Sequence, residues 1–134
     1  MPDLKSFDYA TLRVVPRVER EEFVNAGVIL FCRTSGFLDA RVKFDRQRIE
    51  QFAPDLDHDE AERHLLLIMR ICHGGTEGGP IGLLSPSERF HWLVAPRSTV
   101  IQTSPVHSGL CHDTEEMLDR LYRMTVTLEG EGSL

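Results

Sequence analysis

An α+β fold, with an antiparallel sheet of about four strands packed with three to four helices, follows from three features of the chain. The run Phe23 to Cys32 is the longest apolar stretch and carries one strongly polar residue, Asn25, so it reads as a central strand covered on both faces. Segments that alternate apolar and polar residues stand on either side of it, at connections short enough for hairpins, which makes a three-stranded meander. Beyond them the apolar spacing changes to that of helices, and each helical segment opens on a capping residue. At 134 residues and 41% hydrophobic, the chain suits one domain, expected over residues 1–126, with residues 127–134 a disordered tail that has nothing to bury.

The first strand runs from Phe7 to Val15, with Asp8, Ala10, Leu12 and Val14 on one face, and Pro16 ends it. Arg17 to Glu22 is a charged connection into the apolar strand. Gly27 follows Asn25 by two positions and shares its face. It marks either a bulge with the amide satisfied locally or a ligand-facing notch. Ser35-Gly36 supplies a turn, after which Leu38, Ala40, Val42 and Phe44 alternate with Asp39, Arg41 and Lys43, a strand with one wet and one buried face.

Asp45 stands at the N-cap of a short helix that Pro54 stops. Asp57 or Asp59 caps a longer one, in which Ala61, Leu65, Ile68, Met69 and Cys72 form a stripe and Gly74-Gly75 the end. The glycine-rich stretch to Gly82 reads as a loop, without the Lys-Ser/Thr ending or preceding strand of a phosphate cradle. Ser85-Pro86-Ser87-Glu88 is a capping box that starts a helix to about Val94. Arg97 to Ser104 is the fourth strand, expected to fold beside the apolar central one, and Pro105 ends it. Asp113 or Thr114 opens a last helix with Met117, Leu118, Leu121, Tyr122 and Thr125 on one side.

The net charge of −6 is uneven: residues 1–52 hold nine Lys/Arg and eight Asp/Glu, the remainder six and thirteen. Such a balance argues against binding to a nucleic-acid backbone, which needs clustered cations. Three cysteines at wide spacings, with no CxxC, point to a reducing cytoplasmic setting without disulfides. The longest apolar run falls far short of the roughly 20 residues of a membrane span. No cofactor or metal is expected: His107, Cys111 and His112 are interrupted by Ser108-Gly109, and Asp8, Asp39 and Asp45 lie at strand edges.

Ala95 to Gly109 concentrates an arginine, hydroxyls, an amide and a histidine between two prolines. Such a face can bind a carboxylate or phosphate, and it can equally be a plain edge strand with a solvated arginine. Ser98 or Ser104, His107 and Asp113 supply the residue types of a hydrolase without a nucleophile elbow around either serine. The candidate ligand-binding residues are Arg13, Asn25, Arg41, Arg89, Arg97, Ser98 and His107, expected to line one concave pocket, and no catalytic residue is assigned. The reading is a non-catalytic binding or regulatory module that docks a partner protein or a small anionic ligand. The alternative is a hydrolase or a phosphoryl-transfer or nuclease-type enzyme using Arg97 to Ser108.

Tyr9-Ala10 with Arg13-Val14-Val15-Pro16-Arg17, then Glu22 to Leu30, Arg89-Phe90, Trp92-Leu93, Ala95-Pro96-Arg97-Ser98 and Ser104 to Gly109 together resemble the bacterial domain-of-unknown-function 3037 family. The likeness spans roughly residues 6 to 125. It implies a small cytoplasmic protein, often encoded beside a HipA-like kinase domain protein, and therefore an accessory or regulatory partner of such a kinase. The family hands over no catalytic residues. One departure is Ala26, where the resemblance leads one to expect a larger aliphatic residue.

Overall fold

The sheet is antiparallel, and its centre is a pair of long strands, β1 (Lys5–Val14) and β2 (Val24–Cys32), in a computed structural model that describes residues 4–17, 22–97 and 99–127. β3 (Phe37–Val42) lies outside β2, completing the expected meander. There follow α1 (Arg46–Phe52), α2 (His58–His73), a 3-10 turn at Thr76–Gly78, α3 (Gly79–Gly82), α4 (Pro86–Val94), β4 (Ile101–Thr103), β5 (His107–Cys111) and α5 (Thr114–Thr125). The strand order is β3-β2-β1-β4, with β5 also on β1.

The α+β class is as read from the sequence, but the fourth strand differs in two ways. It lies beside β1, because β3 already occupies the far edge of β2. It is also short, Ile101–Thr103, pairing with Leu12 to Val14, and beyond Pro105, where the fourth strand is expected to end, an unexpected fifth strand, β5, pairs with Lys5 to Tyr9. Between the two strands Thr11 donates its N–H to the Ser104 hydroxyl (2.9 Å) while its carbonyl accepts from the Ser104 N–H (2.9 Å), and the register against β1 then shifts by one residue across Pro105-Val106. The chain resumes pairing at His107. The glycine-rich stretch is likewise more than a loop: it is wound into the 3-10 turn and α3, closed by the Gly75 N–H on the Gly82 carbonyl (2.8 Å).

Helices cover both faces, which is why β2 is apolar on both. On one side Leu12, Ala26, Ile29, Phe31 and Ala40 pack against Ile49 of α1, Leu65, Ile68 and Ile71 of α2, and Phe90 and Leu93 of α4, with Phe31 and Phe90 stacked 5.2 Å apart. On the other, Phe7, Val28, Leu30, Cys32 and Cys111 meet Leu118 of α5, flanked by Met117, Leu121 and Tyr122. The side chains of Asp45, Asp57, Ser85 and Asp113 cap α1, α2, α4 and α5, each accepting the N–H three residues on, worth about 1 kcal/mol apiece. The three cysteines are free and buried. Burial, reinforced by Asp39, pushes the Cys72 thiol up to about 12, so it stays a thiol at neutral pH.

β1 and β2 slip by one residue near one end: Leu12 faces Gly27 but Arg13 faces Asn25, and Ala26 has no partner. This is a bulge. The Ala26 carbonyl is taken by the Lys43 N–H (2.8 Å), which turns the chain leaving β3 toward Asn25.

Candidate functional site

Residues opposite one another in an antiparallel ladder point to the same face. Gln102 is opposite Arg13 and Arg13 opposite Asn25, so β4, β1 and β2 present these three side chains in one row on the α5 side of the sheet. Beyond Asn25 the row is continued by Lys43 and by Arg48 of α1, which line with Asn25 a notch of about 310 Å³ closed by Val24, Asp45, Ile49, Val126 and Thr127.

Arg13 holds its guanidinium 4.1 Å from the centre of the Phe23 ring, and that ring is 44% exposed. The contact stacks a cation on an aromatic face. The Asn25 amide donates to the Thr125 carbonyl at the end of α5 (3.2 Å), while its Oδ1 and the Arg13 Nε are shielded from water and have no hydrogen-bond partner. Buried polar atoms are rarely left in that state without a bridging water or ligand. Of the charges here, Arg13, Lys43 and Arg48 are positive and Asp45 is negative, and one Asp45 oxygen is already used by the Arg48 N–H (3.1 Å). Chemically, the row offers charge-assisted donors to an oxyanion.

The family described as "Protein of unknown function (DUF3037)" matches residues 9–126. The chain belongs to the DUF3037 family. No curated protein and no solved structure matches it. In this DUF3037 domain the whole cation and amide row, from Arg13 to Gln102, falls inside the matched segment.

The remaining expected residues of the DUF3037 domain are placed elsewhere, which corrects the picture of one shared pocket. Arg41 is on the α5 face but is engaged by three carboxylates: Asp119 (3.0 Å), Asp39 (3.0 Å) and Glu115 (3.5 Å). Burial lowers its pKa, yet Asp39 and Asp119 outweigh burial and raise it, so it ties α5 to β3. His107 is opposite Tyr9, ring centres 5.4 Å apart, and by strand rise about 13 Å along β1 from Arg13. Arg89 lies on the other side of the sheet under α4, where it donates to carbonyls of α2. Arg97 closes α4, donating to the Leu93 carbonyl (3.1 Å) and the Trp92 carbonyl and stacking 4.2 Å from the Trp92 ring centre. Ser98 lies outside the described residues. The acids at the strand edges stand apart: Asp8 accepts from Ser108, Asp39 holds Arg41 and Asp45 caps α1.

Lys43, Arg48 and Gln102 were missed. Alternation put Lys43 on the face of Arg41, and Asp45 to Arg48 is a cap spacing. What joins them to Asn25 is the bulge at Ala26, which no local pattern announces.

The burial of His64 beside Arg97 lowers stability in acid. His64 on α2 is half-buried, and burial first, then Arg97, lower its pKa from 6.5, with Glu60 offsetting part. The unfolded chain therefore takes up this proton before the folded one does, so stability present above pH 6.5 falls as the pH drops toward the folded value. Urea midpoints measured on both sides of that pH are expected to show the loss, and His64→Gln to flatten it. An unchanged slope in His64→Gln would refute the assignment.

Proposed function

We propose that this DUF3037 domain is a non-catalytic binding module whose row takes an oxyanion, a carboxylate or a phosphate, carried by a small ligand or by a partner protein. The observation that supports it is the notch of Asn25, Lys43 and Arg48. Two like charges share one concavity of about 310 Å³ in a chain of net charge −6, and neither has an ion pair among the described residues. Arg46, by contrast, is paired with Asp59 and Glu62, and Arg63 with Glu60. An oxyanion in the notch would meet the Asn25 amide and two exposed cations against the single carboxylate of Asp45, one oxygen of which is already used by the Arg48 N–H. In the partner reading this chain is the accessory or regulatory protein, and the family resemblance makes a HipA-like kinase domain protein the first partner to try.

The side-chain amides of Asn25 and Gln102 report on the row. Titration with inorganic phosphate at constant ionic strength, followed by NMR, is expected to shift both saturably, and Lys43→Gln with Arg48→Gln to weaken binding by about tenfold or more. The HipA-like protein is then added to wild type and double variant. Competition by phosphate would place the anion on the partner, and its absence would leave a small ligand as the source. No saturable shift, or equal shifts in the variant, would end the proposal.

A further inference from the structure

The sheet guards its free edges unequally. On β3 the ladder to β2 uses Phe37, Asp39 and Arg41, so the N–H and carbonyl of Ala40 point outward. Both are covered by neighbouring side chains: Asp39 accepts from the N–H (2.8 Å) and Arg41 donates to the carbonyl (3.2 Å). On β4 the outward carbonyl of Ile101 accepts from the Thr99 hydroxyl (2.8 Å). These are the devices by which an edge is kept from pairing with another chain.

β5 has none of them. Thr11 exchanges both its backbone bonds with Ser104, which fixes the odd-numbered residues of β1 as those facing this side. Tyr9, Phe7 and Lys5 therefore bond with His107, Gly109 and Cys111, and the N–H and carbonyl groups of Ser108 and Leu110 point away from the sheet. No side chain among the described residues closes onto them. Leu110 is 63% exposed, with Val106 and Leu4 exposed nearby. The strand holds no carboxylate, lysine or arginine, and the adjacent Asp8 is occupied by the Ser108 hydroxyl (2.6 Å).

We propose that β5 pairs antiparallel with β5 of a second copy of this chain, about a two-fold axis at Gly109, giving one continuous sheet across the dimer. The strand is complementary to itself. Ser108 of each copy faces Leu110 of the other, and the outward groups of those residues form four hydrogen bonds. Gly109 faces Gly109 at the narrow, non-bonded position. A side chain is excluded at that residue, since a Cβ would lie 2.7 Å from Cζ of Phe7, whose ring covers the glycine on the α5 face. On the opposite face the two Leu110 side chains sit diagonally, within reach of each other. A copy fits better than a charged partner, because an uncharged strand is where two chains of net charge −6 can approach with least repulsion. The edge is independent of the anion row: Phe7, opposite Gly109, is about 20 Å along β1 from Arg13.

Sedimentation over a range of concentrations tests it. Wild type is expected to show a monomer–dimer equilibrium. Ser108→Pro removes an outward N–H that the β1 ladder does not use, and Leu110→Lys sets a charge on the edge. Each is expected to weaken the dimer by about tenfold or more, while Ser108→Ala leaves it intact. Thermal melting of the variant monomers separates lost docking from lost folding, and Leu110→Lys decides if Ser108→Pro melts early. Wild type that remains monomeric at about millimolar concentration, or an unimpaired dimer in both edge variants, overturns the proposal.

Discussion

Replacing Arg89 with methionine is expected to cost about 3 kcal/mol or more of folding stability, because it strips donors from three carbonyls, two of them in bonds buried from water. Arg89 is only 9% exposed. Its Nη1 donates to the carbonyls of Ile71 and Cys72, both at 2.7 Å, and its Nε to that of Leu84 at 3.0 Å. The first two belong to the last turn of α2, whose carbonyls lack partners within the helix. A cation there also meets the negative end of the helix, so a buried charge is stabilised without a carboxylate. Methionine keeps the volume and apolar stem but none of the donors. Lysine supplies charge without the planar fork and is expected to recover part of the loss. Urea denaturation of the three proteins measures this, and a loss below about 1 kcal/mol in Arg89→Met would show that the carbonyls find other partners.

Arg89 also shows where reading the sequence stops. An arginine beside hydroxyl-rich neighbours looks like a ligand residue, and what makes this one structural is the end of α2, seventeen and eighteen residues earlier, folding under it. Arg97 is a shorter case of the same thing, spent on the carbonyls of the helix that precedes it. The helix starts were legible because a cap is written within four residues, as Asp45 to Arg48 and Ser85 to Glu88 are. The double-sided burial of β2 was legible because composition alone carries it. β5 was not: Ser108-Gly109 has weak strand character, and its pairing depends on the Phe7 ring lying over the glycine. Of the anion row, Arg13 and Asn25 could be nominated from their strands, but their meeting with Lys43 and Arg48 depends on register.

That register is the basis of the last prediction: Gly27→Ala is expected to cost about 2 kcal/mol and to impair the row as well. A Cβ at Gly27 would lie 2.7 Å from the carbonyl oxygen of Arg41, 2.9 Å from Cγ1 of Val42 and 3.0 Å from Cδ1 of Leu12. The two side-chain atoms can give way, but the carbonyl belongs to the neighbouring strand, so relief requires β2 and β3 to separate locally. The bulge at Ala26 lies at that point, and it both sets Asn25 opposite Arg13 and holds Lys43 through its carbonyl. Widening the gap therefore moves the amide away from the cation that shares its notch. Of the two readings of this glycine, a bulge is what is found, at the neighbouring Ala26; it turns Gly27 toward Leu12, on the face opposite Asn25, so the expected shared face is not kept and the glycine itself does not line the notch. Stability unchanged to within about 0.5 kcal/mol would mean that the strands adapt freely. Stability lost with phosphate titration of the Asn25 amide unaffected would mean that the row does not depend on this register.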